Sequence, residues 1–173
     1  DLPDVERAAS LIFRHRPVGY RSTNLFLPNG GRLYLDIGAH PEYATAECVS
    51  VRDLVAQDQA GRAILADMAK RAATSLSQEG TAVRFHLLAN NTDSAGHTYG
   101  CHESYSVPRS LLDATDDASA ASSETTMAVL TSFLATRPVL VGSGRPLAGG
   151  PTELNDGSRG AGEEAAWGLS PRA

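Results

Sequence analysis

Apolar and polar positions change period several times along the chain, and each change predicts an element. In "DLPDVERAASLIFRH" the residues Val5, Ala8, Ala9, Leu11 and Ile12 recur at helical intervals, with Pro3 at a suitable first position for an amphipathic helix. "STNLFLPNGGRLYLDI" holds two apolar runs around Asn29-Gly30, a pair that takes positive φ at low cost, and this predicts a β-hairpin. "SVRDLVAQDQAGRAILADMAKRAATSLSQEG" reads as a long helix. Ser50 is its N-cap, Asp53 follows three residues on, and Gly80 stops it. Leu54, Val55, Ile64, Leu65, Met68, Ala72 and Leu76 form its apolar side, while Gly61 costs about 1 kcal/mol relative to Ala.

Strict alternation then predicts two more strands. "TAVRFHLLA" sets Val83, Phe85 and Leu87 against Arg84, His86 and Leu88, and "HTYGCHESYSV" follows a turn at "NNTDSAG". "DATDDASAASSETT" is acidic, small and polar, so about 113–126 is expected to be a flexible loop. A short helix "TTMAVLTSFLATR" and a short strand "PVLVG" come next. Residues 143–173 turn Gly-rich and polar and are expected to be a poorly ordered tail behind a domain at 1–142.

Composition narrows the function. The formal net charge is −5, and no Lys/Arg run offers the clustered cations that nucleic-acid binding requires. No stretch approaches the roughly 20 apolar residues of a membrane-spanning helix. "DLPDVERAAS" opens with acids and carries no basic-then-apolar leader, which sets the expectation of a cytoplasmic protein. Cys48 and Cys101 stand outside any CxxC pair, so neither a disulfide framework nor a thiolate zinc site is expected.

The candidate chemistry lies in "RLYLDIGAHPEYATAE". Strand alternation turns Leu33, Leu35 and Ile37 one way and Arg32, Tyr34 and Asp36 the other, about 7 Å apart. Glu42 adds a second carboxylate, and Thr45 a hydroxyl, just past the Gly38–Pro41 interruption. Paired carboxylates suit a hard divalent cation such as magnesium, and Arg32 suits phosphate oxygens. Any half-exposed strand shows the same alternation, with Asp and Arg solvated or paired.

Other features carry less. Cys101 and His102 are strand neighbours pointing to opposite faces, so they cannot be nucleophile and base. "GSGRPLAGG" lacks the GxxxxGK[ST] pattern of a phosphate loop. Trp167 is a solitary aromatic in a polar setting.

"RSTNLFLPNGGRLYLDIGAHPEYATAEC" and "NNTDSAGHTYGCHESY" together resemble the Pup ligase family, with Arg21 to Pro108 carrying most of the likeness and "SFLATRPVLVGSGRPL" a looser continuation. These actinobacterial enzymes attach the small protein Pup to lysines of proteins destined for the proteasome. Pup deamidases/depupylases are their sister family, and "LDIGAHPEYAT" with "NTDSAG" resembles the ligase branch. The resemblance implies an α+β fold: a curved antiparallel β-sheet with helices packed on one face, as part of a glutamine synthetase-like carboxylate-amine ligase domain. It further implies ATP and Mg2+ as cofactors, and Pup and lysine-bearing targets as partners.

Position by position, the resemblance implies Asp36 as catalytic base, Tyr34 and Glu42 at the magnesium site, and Arg32 and Thr45 on ATP. His102 sits in a family strand, although Ser104 stands where Asn is usual. The family's opening "GxETE" strand and its later portions do not occur here, so the expectation is a partial site that is inactive alone. A depupylase-like hydrolase and a silent binding fragment are the alternatives.

Overall fold

The computed structural model describes residues 4–17, 19, 21–89, 91, 92, 98–111, 117–140, 142, 144–147 and 166–169. They fall into two compact units, 1–87 and 88–173.

In the first unit α1 covers Val5–Phe13, and Asp4 caps it by accepting a hydrogen bond from the Arg7 amide at 2.7 Å. Helix therefore begins at Val5; Pro3, expected at the first helical position, lies outside the described residues. Ala9, Ile12 and Phe13 form its buried stripe. The carbonyls freed at its end are taken up by arginines: Arg16 Nη1 donates to Phe13 O at 2.9 Å and Arg71 Nη2 to His15 O at 2.5 Å.

The predicted hairpin forms. Strand β1 (Asn24–Phe26) pairs antiparallel with β2 (Arg32–Asp36). Between them the Gly30 amide donates to Leu27 O at 2.9 Å, with Pro28 setting φ at the first corner. Gly30 then takes φ +80°, and the Leu27 amide reaches Gly31 O at 2.8 Å. A tighter turn, with Gly38 (φ +84°) and Ala39 (φ 60°), leads to β3 (His40–Ala44), which lies antiparallel on the other side of β2. The sheet order is β1-β2-β3.

Helix α2 runs Val51–Gln78. Ser50 Oγ accepts from the Asp53 amide at 3.1 Å and donates to its carboxylate at 2.7 Å, so the cap read from the sequence is real. At the other end Gly80 takes φ +89°, the Thr81 amide bonds Leu76 O at 2.8 Å, and the Gly80 amide bonds Ser77 O at 3.1 Å. That is the paired-bond glycine stop. Packing against one sheet face joins Ile12 and Phe13, Leu25, Leu27 and Leu33, and Met68, Ala69 and Ala72 into a single core. Leu35, Tyr43, Ile64, Leu65 and Phe85 pack around it. Helices on one face of an antiparallel sheet are the α+β arrangement expected. Leu54 and Val55 stay about half exposed, because the apolar face of a three-stranded sheet meets α2 from Gly61 onward and not at its first turns.

Three element expectations are corrected. Residues 81–89 form no strand: Val83 and Phe85 are half-buried and Arg84 and His86 exposed, as alternation requires, but no ladder pairs them among the described residues. "HTYGCHESYSV" is likewise reduced to one antiparallel bridge, Thr92 with Thr98, plus a bond from the Tyr99 amide to Asn91 O at 3.1 Å. The acidic stretch expected to be a loop is helical from Asp117, and α3 runs to Leu140, absorbing the short helix and the first three residues of the expected "PVLVG" strand. Its Ala-rich start favours helix more than its acidity opposes it, and Pro138 falls in the last turn, where only Val139 and Leu140 lie beyond the missing N–H.

In the second unit a 3-10 turn (Arg109–Leu111) precedes α3, and the segment expected to be a poorly ordered tail contains an antiparallel pair, β4 (Gly144–Leu147) with β5 (Ala166–Leu169). Backbone pairing orders these residues despite their Gly-rich context. No helix among the described residues is long and apolar enough to cross a membrane.

Candidate active-site face

The sheet face opposite the core carries the polar row. Register places Asn24 opposite Tyr34 and Tyr34 opposite Glu42, Phe26 opposite Arg32 and Arg32 opposite Ala44, and Asp36 opposite His40. Because residues facing each other across an antiparallel ladder share a side, Arg32, Tyr34, Asp36 and Glu42 all project from one surface. Leu25, Leu33 and Tyr43 point the other way, with Leu33 fully buried.

Contacts tie the group together. The Tyr34 hydroxyl donates to Glu42 Oε2. Arg32 Nε donates to Asn24 Oδ1 at 2.9 Å, and its guanidinium lies 4.4 Å from the centroid of the Tyr34 ring. Hydrogen bonding to Glu42 pushes the Tyr34 phenol up to about 12, helped by burial and by the charges of Glu42 and Asp36, while Arg32 pulls it down. The phenol is therefore neutral at pH 7 and fixes one oxygen of the Glu42 carboxylate. Asp36 is exposed at the end of β2. Thr45 is exposed one residue past β3, following Ala44, the partner of Arg32 in the ladder.

Sequence reading missed Asn24, Phe26 and His40. Once the hairpin turn is located, counting back from Asn29-Gly30 pairs Asn24 with Tyr34, so that signal was available. His40 required the second turn, which "IGAH" does not announce. Phe26 is a large apolar side chain on the polar face, 69% exposed beside Arg32.

The second unit gathers a different group. Arg137 Nε and the Tyr105 hydroxyl both donate to Glu103 Oε2, and Tyr105 meets Phe133 edge-on at 5.4 Å. The hydrogen bond from Arg137 holds the Glu103 carboxyl below its usual range. His102, weighed in the sequence, is exposed.

Comparison with known proteins connects this chain to a family. A family profile described as "Pup-ligase protein" matches residues 4–173. A Pup–protein ligase of Jonesia denitrificans is 48% identical over 145 residues, which is 81% of this chain and 28% of the relative. One from Xylanimonas cellulosilytica is 48% identical over 143 residues, 83% of this chain and 29% of its own. Among solved structures, the Pup ligase PafA in complex with ADP matches with TM-score 0.61 and 38% identity over 99% of this chain and 34% of that one. A complex between Pup and its ligase PafA matches with TM-score 0.67 and 33% identity over 98% and 30%. The chain thus spans somewhat under a third of the length of the curated relatives it matches. With the profile matching nearly all of it, the chain belongs to the Pup-ligase family.

Proposed function

We propose that this chain carries the β2–β3 part of the active site of an ATP- and magnesium-dependent ligase. That ligase joins the γ-carboxylate of the C-terminal glutamate of Pup to a target lysine. The observation that carries the reading is the shared face on which Arg32 stacks over Tyr34, Tyr34 bonds Glu42, and Asp36 stands exposed. It is supported by relatives that are Pup–protein ligases and by neighbours solved with ADP and with Pup.

Arg32 is aimed by Asn24 and by the Tyr34 ring, so its outer nitrogens are available to phosphate oxygens without a large ordering cost. Thr45 would add a hydroxyl to the same nucleotide. Tyr34, Asp36 and Glu42 offer oxygen donors on this face, the chemistry that magnesium selects, and Glu42 is the anionic member next to Tyr34. Tyr34, being neutral, serves best by orienting the Glu42 carboxylate. When bound, magnesium supplies charge neutralisation for the transferred phosphoryl group.

A carboxylate oxygen of the Pup glutamate attacks the γ-phosphorus of ATP, the bond from that phosphorus to the bridging oxygen breaks, and ADP leaves an acyl phosphate behind. The lysine amine then attacks the acyl carbon, the bond from that carbon to the phosphate oxygen breaks, and inorganic phosphate leaves. Asp36 takes the proton released by the amine, a role for which an exposed carboxylate at a strand end is placed to meet an incoming side chain.

The test replaces the matching span of the Jonesia denitrificans relative by residues 4–173 and follows conjugation of Pup to a lysine substrate with ATP and magnesium. Asp36→Asn is expected to slow conjugation by at least about 100-fold while ATP still binds. A rate within about threefold of the parent removes Asp36 from the chemistry. The chain spans under a third of the length of the curated relatives it matches, so the 173-residue chain by itself is expected to form no conjugate.

A further inference from the structure

We infer that Gln57, on α2, is a positioning residue for the active-site face: it locks the end of β3 and so sets where Glu42 and Thr45 stand relative to Arg32 and Tyr34. The inference rests on the ligase reading for its purpose, but its geometry is independent of it.

Gln57 reaches three separate pieces of backbone or side chain. Its Oε1 accepts from the Tyr43 hydroxyl at 2.5 Å and from the Ala46 amide at 3.3 Å. Its Nε2 donates to Asn29 O at 2.9 Å. Asn29 closes the ring, since its Nδ2 donates to the Tyr43 hydroxyl at 2.8 Å and its Oδ1 accepts from the Gly31 amide at 3.1 Å. Every donor in this ring faces an acceptor, so the amide has one favourable orientation.

Tyr43 is wedged where no other side chain leaves room. A Cβ on Gly31 would lie 2.6 Å from Tyr43 Cζ, and one on Gly61 would lie 2.6 Å from its Cγ. The ring therefore runs between the hairpin turn and α2, with its hydroxyl end held by Asn29 and Gln57. Tyr43 is the residue after Glu42, and Ala46 the residue after Thr45. Holding Tyr43 from behind and Ala46 by its amide fixes the chain on both sides of Thr45 and directly after Glu42. Among the described residues strand β3 pairs only with β2, so such a brace supplies rigidity that a second neighbour would otherwise give.

The experiment compares amide hydrogen exchange and ring resonances in the 173-residue chain with Gln57→Leu and Tyr43→Phe. Leu keeps bulk and removes all three bonds; Phe keeps the wedge and removes only the hydroxyl. Exchange at residues 42–46 is expected to quicken by about tenfold or more in Gln57→Leu and less in Tyr43→Phe, with the interior of α2 unchanged. The Tyr34 ring resonances should move while those of Phe13 stay.

Uniform quickening along the whole first unit would mean general stabilisation only and would overturn the inference. So would unchanged exchange at 42–46. Failure of the ligase reading is seen elsewhere, in conjugation that survives Asp36→Asn, which these exchange rates do not register.

Discussion

Tyr34 and Glu42 face each other across two strands, and their hydrogen bond is the most informative contact of the candidate active-site face. A phenol that donates to a carboxylate and sits among two negative charges resists ionising, which is why Tyr34 is raised to about 12 from 10.0. Folding favours the neutral phenol, so this contribution to stability is complete below the unfolded value near 10.0 and is lost as pH rises through about 12. Ultraviolet titration should show one tyrosine ionising only near pH 12, and Glu42→Gln should return it toward 10.0 by replacing a charged acceptor with a neutral one. A titration unaltered by Glu42→Gln would mean the pair does not form in solution. Glu103 behaves oppositely: its carboxyl is held low by Arg137, so its contribution is present above 4.5 and disappears as pH falls through the lowered value.

At the level of elements, Gly61 shows why local propensity was an incomplete guide. Judged alone, it is a flaw in α2 worth about 1 kcal/mol, and Gly61→Ala should stabilise the helix. In the fold its missing side chain is the space occupied by the Tyr43 ring, whose Cγ would be 2.6 Å from a new Cβ. Because Cγ is the fixed end of that ring, the strand or the helix must move. Gly61→Ala is therefore expected to lower stability by about 1–3 kcal/mol despite the better helix former, as measured by urea unfolding. A gain in stability would show that Tyr43 does not pass over Gly61.

Elements whose signals are local were legible in the sequence. For the hairpin and α2 those signals are Asn29-Gly30, Ser50 with Asp53, and Gly80, each specifying backbone shape within a few residues, whereas α1 was legible from its apolar period and its cap, Asp4, was not read. Arg32, Tyr34 and Asp36 on one face followed from alternation and needed nothing further. Residues 81–89 had the right alternation, but a strand also needs a partner, which no local pattern supplies. Gln57 was invisible for a related reason, since its partners Asn29 and Tyr43 are remote in sequence and meet it only once the hairpin lies on α2. In α3 the error ran the other way, because a composition suggesting disorder concealed a run of good helix formers.

Across the whole molecule, burial is distributed unevenly. Every buried apolar side chain among the described residues lies between Ala9 and Ala72, within the first unit. The second unit shows instead exposed apolar positions along α3, with Val129 65%, Val139 62% and Leu140 80% accessible, and a polar knot of Arg137, Glu103 and Tyr105. Opening free energy tracks buried apolar contact, so the two units should not resist opening equally. Under limiting protease the first cuts are expected after residue 87, leaving a fragment near 4–87 that persists. Leu33→Ala, which empties a site of 0% exposure, should cost about 2–5 kcal/mol and shorten the life of that fragment. If the early cuts fell inside β1–β3 or α2, or if Leu33→Ala left the fragment's half-life unchanged, the shared core of α1, the sheet and α2 would not be the stable centre of this chain. The candidate active-site face would then lack a rigid floor, and electrostatic catalysis depends on groups held in place beforehand.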